Sequence, residues 1–188
     1  PSFGGPVYFI RNICYNVTGT AMKYTVRPAG VLTYNNTFVA EAAITQVSNA
    51  HFRNNLFLGH DNGRQNLNLT TSTRYSTLDY NGYRKKPEGQ TRFRLRYPSD
   101  DSHNHADDKE LQVIESPTLK DFQTKSGYEQ HGVELDYNSI FQNVPLPDAS
   151  RKGHVYPDKG LDFRLKAGRN AIDSGCILPN ITDNFSGK

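Results

Sequence analysis

The sequence predicts an all-β fold, a β-solenoid in which short strands stack in successive coils. The predicted strands are short segments rich in β-branched and aromatic residues, separated by Gly, Pro, Asn and Ser. Asparagine occurs 17 times, against one Met and no Trp. So much Asn disfavours long helices, because its side chain competes for backbone hydrogen bonds. An asparagine also recurs among the strand-like segments at intervals of 24, 19, 26 and 57 residues.

The repeat is centred on one asparagine per segment. These residues are Asn12, Asn36, Asn55, Asn81 and Asn138. Three positions earlier stand Phe9, Thr33, Phe52, Leu78 and Leu135, and two positions later stand Cys14, Phe38, Phe57, Tyr83 and Ile140. We expect each Asn at a corner, in left-handed backbone geometry and hydrogen-bonded to the Asn of the next coil. The alternative, a β-sandwich with Asn-rich turns, would space its strands more closely.

The 57-residue interval holds an insertion, residues 84–132, that interrupts the coils. It begins with a basic strand and continues into a polar loop over residues 99–110. A short helix is predicted next, because Ser116 or Thr118 can serve as its N-cap and Gly127 as its stop. We therefore expect one domain with an inserted loop and one short helix.

Several segments resemble a known family. They are "GPVYFIRNICYN", "HFRNNLFLG", "LDYNGYR", "TLKDFQTKSGYEQHGVELDY" and "LDFRLKAGRNAIDSG". Together they resemble the right-handed parallel β-helix repeat proteins, and in particular the secreted bacterial group with polysaccharide lyases and glycoside hydrolases. The resemblance covers the chain from about Gly5 to Lys188, apart from residues 99–110. The family's Ser-Pro or Ser-Ala pair near Arg169 and Asn170 is not present here.

That resemblance implies a right-handed β-helix over residues 1–188, forming the C-terminal coils of a longer chain. It also implies a secreted, periplasmic or cell-surface location. The physical argument agrees with a longer chain, because solenoids need polar caps and an uncapped first coil would expose Phe9 and its neighbours.

A basic stripe is the first candidate site, for substrate binding. It comprises Arg84, Lys85, Lys86, Arg92, Arg94 and Arg96. Alternation along a strand puts the last three on one face, with Phe93, Leu95 and Tyr97 on the other. Guanidinium groups bind carboxylate or sulfate in bidentate fashion, so the row could follow an anionic polysaccharide. The same charges could instead protect an edge strand from aggregation.

A second candidate site, for catalysis, is His60, Asp61 and Arg64 in "GHDNGRQN". A lyase needs a base beside a cation that stabilises the enolate. His60 or a Lys could be the base, and Arg64 the cation. A hydrolase needs two carboxylates, for which Asp61 and Asp79 are the nearest pair. The alternative is a polar turn between coils. We expect Asp79 and Asp136 to cap backbone amides, because they occupy matching turns.

No cofactor is expected, with calcium as the open alternative. The stretch "DDSHNHADD" offers His103, His105, Asp107 and Asp108, but without the glycine-pivoted spacing of a calcium loop. Cys14 and Cys176 lack the spacing of a metal or redox pair. We expect two buried free thiols, with a disulfide as the alternative if the protein is exported.

The predicted function is a carbohydrate-active β-helix that acts on or binds an acidic polysaccharide, by β-elimination if it is a lyase. The alternatives are a glycoside hydrolase on the same fold and a non-catalytic, glycan-binding surface solenoid. A net charge of +3 provides too weak a field to predict nucleic-acid binding. No apolar run approaches the ~18 residues of a membrane helix, so no membrane partner is expected. We expect a monomer.

Overall fold

The computed structural model describes residues 4–24, 28–59, 65–85, 93–100, 111–148, 150–151, 153–168 and 170–181. This part of the chain is dominated by β-strands, most of them in parallel sheets, with one α-helix. The strands are β1 Val7–Ile10, β2 Ile13–Tyr24, β3 Val31–Tyr34, β4 Thr37–Val47, β5 Ala50–Arg53, β6 Leu56–Phe57, β7 Leu67–Thr71, β8 Thr77–Asp79, β9 Gly82–Arg84, β10 Phe93–Tyr97, β11 Gln112–Ser116, β12 Val133–Leu135, β13 Phe141–Asn143 and β14 Asp162–Leu165. The helix α1 spans Leu119–Ser126, and a 3-10 helix spans Tyr137–Ser139.

The first sheet has the order β1-β3-β5-β8, and all its pairs are parallel. Its register matches the repeat in the sequence. The position three residues before each repeated Asn is paired across all four strands, as Phe9, Thr33, Phe52 and Leu78. The in-register stacking that the sequence predicted is therefore confirmed for these four segments.

The second sheet has the order β11-β10-β7-β4-β6-β9-β12, and β2 also pairs with β4. Every pair is parallel except β10 with β11. The start of the long strand β4 pairs with β6, and its end pairs with β7. The two ends of β4 thus pair with different strands, β6 and β7. The antiparallel pair β13-β14 forms a separate two-stranded sheet.

Four asparagines form a continuous ladder at the junction of the two sheets. Asn12 Nδ2 donates to Asn36 Oδ1 (3.1 Å), Asn36 Nδ2 to Asn55 Oδ1 (2.9 Å), and Asn55 Nδ2 to Asn81 Oδ1 (2.9 Å). The backbone N–H of each donor Asn bonds the same oxygen, at 2.9–3.1 Å. Asn36 and Asn55 therefore lie in adjoining layers, as predicted. We refer to these four residues as the ladder.

The predicted location of the left-handed backbone is wrong by one residue. Four of the residues with φ near +60° stand just before the ladder asparagines: Arg11 (60°), Asn35 (56°), Asn54 (57°) and Tyr80 (60°). Left-handed geometry in a non-glycine residue costs roughly 1 kcal/mol. The preceding residue takes that conformation because it makes the turn, which leaves the following Asn side chain free to bond along the ladder.

The predicted fifth repeat at Asn138 is also wrong. Strand β12 pairs with β9 in a register that places Leu135 beside Arg84, not beside Leu78. Asn138 is exposed, and it lies in the 3-10 helix that Asp136 caps by accepting from the Asn138 amide (3.2 Å). "LDYN" therefore occurs once before a ladder corner and once at a helix start, since both need a buried Leu followed by a capping Asp.

Inside the sheets, aromatic rings stack in a row beside the ladder. Phe9 stacks on Phe38 (5.7 Å between centroids), Phe38 on Phe57 (5.3 Å), and Phe57 on Tyr83 (5.2 Å). Phe57 is 1% exposed, and Phe38 and Tyr83 are fully buried. Each stacked pair contributes roughly 0.5–1.5 kcal/mol beyond the burial of its area. The row and the ladder together fix the register.

The segment predicted as an insertion, residues 84–132, contains the predicted helix and part of the predicted strand. Thr118 caps α1 by accepting from the Asp121 amide (3.1 Å), and Gly127 ends it with φ +74°. The buried face of α1 includes Phe122, which stacks on Phe93 of β10 (5.0 Å). The helix therefore covers the end of the aromatic core. Residues 86–92 and 101–110 of the insertion lie outside the described part.

The C-terminal segment covers the outside of the second sheet. Tyr137, Ile140 and Phe141 join Val39 and Leu58 in a second apolar cluster. Polar contacts hold the chain at Cys176. The Asn54 side chain accepts from the Cys176 amide and donates to the Cys176 carbonyl, both at 2.8 Å. Cys176 and Cys14 are free thiols, as expected, but both are partly exposed and not buried. No helix in the described part of the chain is long and apolar enough to cross a membrane.

Candidate functional site

The outer face of the first sheet carries a set of chemically active side chains. Residues alternate along each strand, so every second side chain faces away from the core. The outward residues are Tyr8, Ile10, Leu32, Tyr34, His51, Arg53, Thr77 and Asp79. Register aligns Tyr34, Arg53 and Asp79 in one row, with about 4.8 Å between neighbouring strands. We call this surface, together with the adjoining His131, the outer face.

Asp79 holds His131 at the end of this row. Its Oδ2 lies 2.9 Å from His131 Nδ1, while its Oδ1 accepts from the backbone amides of His131 (2.8 Å) and Tyr80 (3.0 Å). Partial burial acts to raise the pKa of Asp79, but the hydrogen bonds from His131 and Tyr80 outweigh it and lower that pKa. The carboxylate therefore stays ionised and holds the imidazole in a fixed orientation through the Nδ1 contact.

The imidazole of His131 is fixed on two sides and open on a third. The Tyr80 ring stacks on it, with 4.4 Å between centroids and 4° between planes. The His131 side chain is 59% exposed. Since Nδ1 faces Asp79, Nε2 is the ring atom left to exchange a proton with a ligand. An oriented carboxylate–imidazole pair of this kind suits general acid–base chemistry.

Arg53 and Tyr34 occupy the neighbouring strands. Burial raises the pKa of the Tyr34 hydroxyl, and the opposing positive charge of Arg53 is too weak to cancel the effect. Tyr34 therefore remains a proton donor at neutral pH. Burial, followed by the charge of Arg53, lowers the pKa of His51, which lies 2.8 Å from Thr77 Oγ1. The outer face thus combines a cation, a phenol and a carboxylate–imidazole pair.

Part of the predicted site lies outside the described residues. His60, Asp61 and Arg64, predicted for catalysis, are in this group, and so are Lys86 and Arg92 of the basic stripe. Of the polar loop predicted over residues 99–110, only Ser99 and Asp100 are described. Elsewhere in the described chain, no group of three or more His, Cys, Asp or Glu side chains could hold a metal ion.

The described members of the basic stripe do not form one row. Arg84 is buried on β9, where its Nη1 donates to the Gly59 carbonyl (2.9 Å) and its guanidinium lies 5.7 Å from the Tyr137 ring centroid. Lys85 follows it and is exposed. Arg94 and Arg96 lie on β10, which three strands separate from β9 in the sheet order.

Strand β10 itself has the predicted alternation. Phe93 and Leu95 are buried, whereas Arg94 and Arg96 are partly exposed. Arg94 Nε pairs with Glu115 Oε1 of the neighbouring strand at 3.0 Å. The charge of Arg94 is thus partly neutralised within the sheet, which weakens it as a binding group for an external anion.

Glu129 is a buried acid that the sequence did not reveal. Its Oε1 accepts from Asn81 Nδ2 and from the Tyr83 hydroxyl, both at 2.7 Å, and Oε2 accepts from the Asn81 amide (3.3 Å). Burial raises its pKa to about 7, despite these hydrogen bonds. Glu129 ends the ladder because it accepts from Asn81. It does not meet a ligand, because it is fully buried.

The outer-face row could have been found from the repeat. Tyr34, Arg53 and Asp79 each stand two positions before a ladder Asn, so the same alignment that located the ladder also aligns them. His131 could not be found in this way, because no ladder Asn stands two positions after it. No protein-family model, curated protein or solved structure matches the chain.

Proposed function

We propose that the chain is a segment of a right-handed parallel β-helix, and that its outer face binds and cleaves an acidic polysaccharide by β-elimination. The in-register parallel strands and the ladder support the solenoid. The observation that carries the activity is the Asp79–His131 pair, which lies in one row with Arg53 and Tyr34. A polymeric substrate of this kind implies a secreted, periplasmic or cell-surface protein.

The outer face offers one group for each requirement of β-elimination. His131 Nε2 removes the proton from the sugar carbon beside the carboxylate. Arg53 binds that carboxylate and stabilises the enolate that forms. The electron pair then forms a carbon–carbon double bond as the bond to the glycosidic oxygen breaks. Tyr34 donates its hydroxyl proton to the departing oxygen.

A glycoside hydrolase is less well supported by the same surface. Hydrolysis requires two carboxyl groups that flank the scissile bond. Among the described residues, Asp79 is the one carboxylate on the outer face, and His131 and two backbone amides already occupy it. Glu129 is buried within the ladder. Elimination therefore fits the described groups better.

A cleft on the other side of the ladder corner gives further support for ligand binding. It has a volume of about 680 Å³, within the range of ligand sites. Arg11 and Asn35 line one wall, while Phe163 and Arg164 from the C-terminal segment line the other. The Phe163 ring offers an apolar face that suits a sugar ring, whereas the charge of Arg164 is partly neutralised by its pair with Asp162, at 2.6 Å.

The test is turnover of defined polysaccharides by the purified chain. Alginate and pectin supply uronates, and only elimination creates the unsaturated ends that absorb ultraviolet light. His131→Ala should lower the rate by about 10²–10⁴-fold, because it removes the base. His154→Ala is the matched control, since His154 lies off the outer face and packs on Tyr156.

Three results would contradict the proposal in different ways. New reducing ends without ultraviolet absorbance would indicate a hydrolase. Glycan binding that needs neither His131 nor Arg53, without turnover, would indicate a binding solenoid. Equal losses in the two histidine variants would show that the outer face has no special role.

A further inference from the structure

The corner that carries His131 is a modified fifth layer of the stack. In the earlier layers, the residue after a ladder Asn donates its N–H to the carbonyl of the preceding ladder Asn. These bonds run from Thr37 to Asn12, from Leu56 to Asn36 and from Gly82 to Asn55, each at 2.8 Å. Val133 donates to Asn81 in the same way, at 3.0 Å. The residue before Val133, which is Gly132, therefore takes the backbone position of a fifth ladder Asn.

Glu129 supplies the side chain that Gly132 lacks. Its Oε2 accepts from the Asn81 backbone N–H and its Oε1 from Asn81 Nδ2, the same two donors that each earlier ladder Asn offers to the next Oδ1. Gly132 leaves room for this carboxyl group, because a Cβ at position 132 would lie 2.9 Å from Glu129 Oε2. Glu129 also has the left-handed backbone of a corner, with φ +55°, and its carbonyl accepts from the Gly132 N–H at 2.9 Å. Residues 129–132 thus form a closed turn around the carboxyl group.

The same turn places His131 on the outer face. His131 stands one position before Gly132, as Tyr80 stands one position before Asn81, and the two rings stack on each other. The His131 N–H and Nδ1 both contact Asp79, at 2.8 Å and 2.9 Å. The imidazole therefore occupies the outward position of the fifth corner, while the Glu129 carboxyl group occupies the inward one.

Glu129 is fixed through both its side chain and its backbone. Its carboxyl group is fully buried and accepts three hydrogen bonds, two from Asn81 and one from the Tyr83 hydroxyl. Its backbone N–H donates to the Leu78 carbonyl at 2.8 Å, and its carbonyl accepts from Gln123 Nε2 at 2.6 Å. Moving a buried acceptor of this kind would leave its donors unbonded, so the carboxyl group resists displacement.

We propose that Glu129 is the positioning residue for His131: its buried carboxyl group fixes the turn of residues 129–132 against Asn81, and the turn holds the imidazole on Asp79. Asn81 takes part from the other side, because its Nδ2 also donates to the Asp79 carbonyl at 3.1 Å. The carboxyl group therefore ties together the two segments that meet at the Asp79–His131 pair. The positioning stands on these hydrogen bonds alone, whereas its effect on catalysis rests on the proposed function.

The first test is NMR of the purified chain and its variants. Glu129→Ala removes the acceptors of Asn81 and should abolish the Overhauser contact between the Tyr80 and His131 rings. It should also speed hydrogen exchange of the His131 backbone amide, by about tenfold or more, as that hydrogen bond opens. Glu129→Gln keeps an oxygen for Asn81 Nδ2 and should retain both features. Asn36→Ala truncates a buried ladder residue in a distant layer, so it is the matched control and should also retain both.

The second test is kinetic and uses uronate polymers that the unmodified chain cleaves. Glu129→Ala should lower kcat by about 10²-fold, because a base displaced by about 1 Å loses that much rate. KM should change by less than about twofold, since Arg53 still binds the substrate carboxylate. Loss of the His131 contacts in this variant, without any turnover by the unmodified chain, would support the positioning and refute the proposed activity.

Three outcomes would overturn the inference. They are retained His131 contacts in Glu129→Ala, an equal loss of those contacts in Asn36→Ala, and an unchanged kcat of Glu129→Ala when the unmodified chain is active. Circular dichroism shows whether each variant folds. If Glu129→Ala does not fold, Gly132→Ala takes its place, because the added Cβ displaces the carboxyl group without removing it. Retained His131 contacts in folded Gly132→Ala would overturn the inference equally.

Discussion

The two Leu-Asp-Tyr-Asn sequences provide an internally controlled test of the ladder. Asn81 and Asn138 have the same three preceding neighbours, but only Asn81 belongs to the ladder. We predict that Asn81→Ala strongly destabilises the fold and that Asn138→Ala does not. The difference between the two variants isolates the ladder from local sequence effects.

The expected magnitude follows from the hydrogen bonds of the Asn81 side chain. Its Oδ1 accepts from Asn55 N and Nδ2, and its Nδ2 donates to Glu129 Oε1, the Asp79 carbonyl and the Phe52 carbonyl. Truncation leaves the Asn55 backbone N–H without an acceptor. It also removes one of the two acceptors of Asn55 Nδ2 and one of the donors to Glu129. A buried group left unbonded costs about 1–3 kcal/mol, so two to three such groups cost roughly 3–6 kcal/mol.

Asn138 provides the contrasting value. It is exposed, and its described hydrogen bonds are made by the backbone, which alanine retains. Its substitution should change the free energy of unfolding by no more than about 0.5 kcal/mol. Urea unfolding followed by circular dichroism measures both values. Equal effects of the two substitutions, or a loss below about 1 kcal/mol for Asn81→Ala, would refute the reasoning.

Three further changes test other contacts. Folding raises the pKa of Glu129 from 4.5 to about 7, so the folded state holds a proton that the unfolded state releases. The free energy of unfolding should therefore fall by about 3 kcal/mol as pH rises from about 4.5 to 7. Glu129→Gln should remove that pH dependence in urea titrations. Gly82→Ala should destabilise by about 1–3 kcal/mol in the same assay, because its Cβ would lie 2.6 Å from Leu135 Cδ1 and 2.8 Å from Leu56 Cδ2; an unchanged midpoint would contradict that packing. Tyr34→Phe should lower uronate turnover by about 10²–10⁴-fold with little change in stability, and full activity would exclude Tyr34 as the proton donor.

The sequence predicted the parts of the fold that repeat. Asparagines at similar spacing located four corners, because a buried amide must find the same partners in every layer. The helix after Thr118 was also predictable, since its N-cap and its final glycine are local signals. Alternation along "RFRLRY" likewise predicted which side chains of β10 are buried.

The remaining features depend on long-range contacts that leave no local pattern. Glu129 ends the ladder from a position 48 residues beyond Asn81, within a segment that has no repeat signal. His131 reaches Asp79 through the same connection, at a separation of 52 residues. The match at Asn138 gave a wrong prediction of a fifth corner, because the same short motif can precede a ladder corner or begin a 3-10 helix. Identical residues therefore predicted a corner that only the strand register could exclude.

The most direct test of the fold is hydrogen exchange of the ladder side-chain amides, followed by NMR. Asn36 and Asn55 are 1% and 0% exposed, and each donates its Nδ2 protons to two acceptors. We predict that these protons exchange as slowly as the backbone amides of β5, whereas those of the exposed Asn138 exchange at the rate of a free amide. Fast exchange at Asn36 and Asn55 would contradict the stacked layers on which the outer face depends.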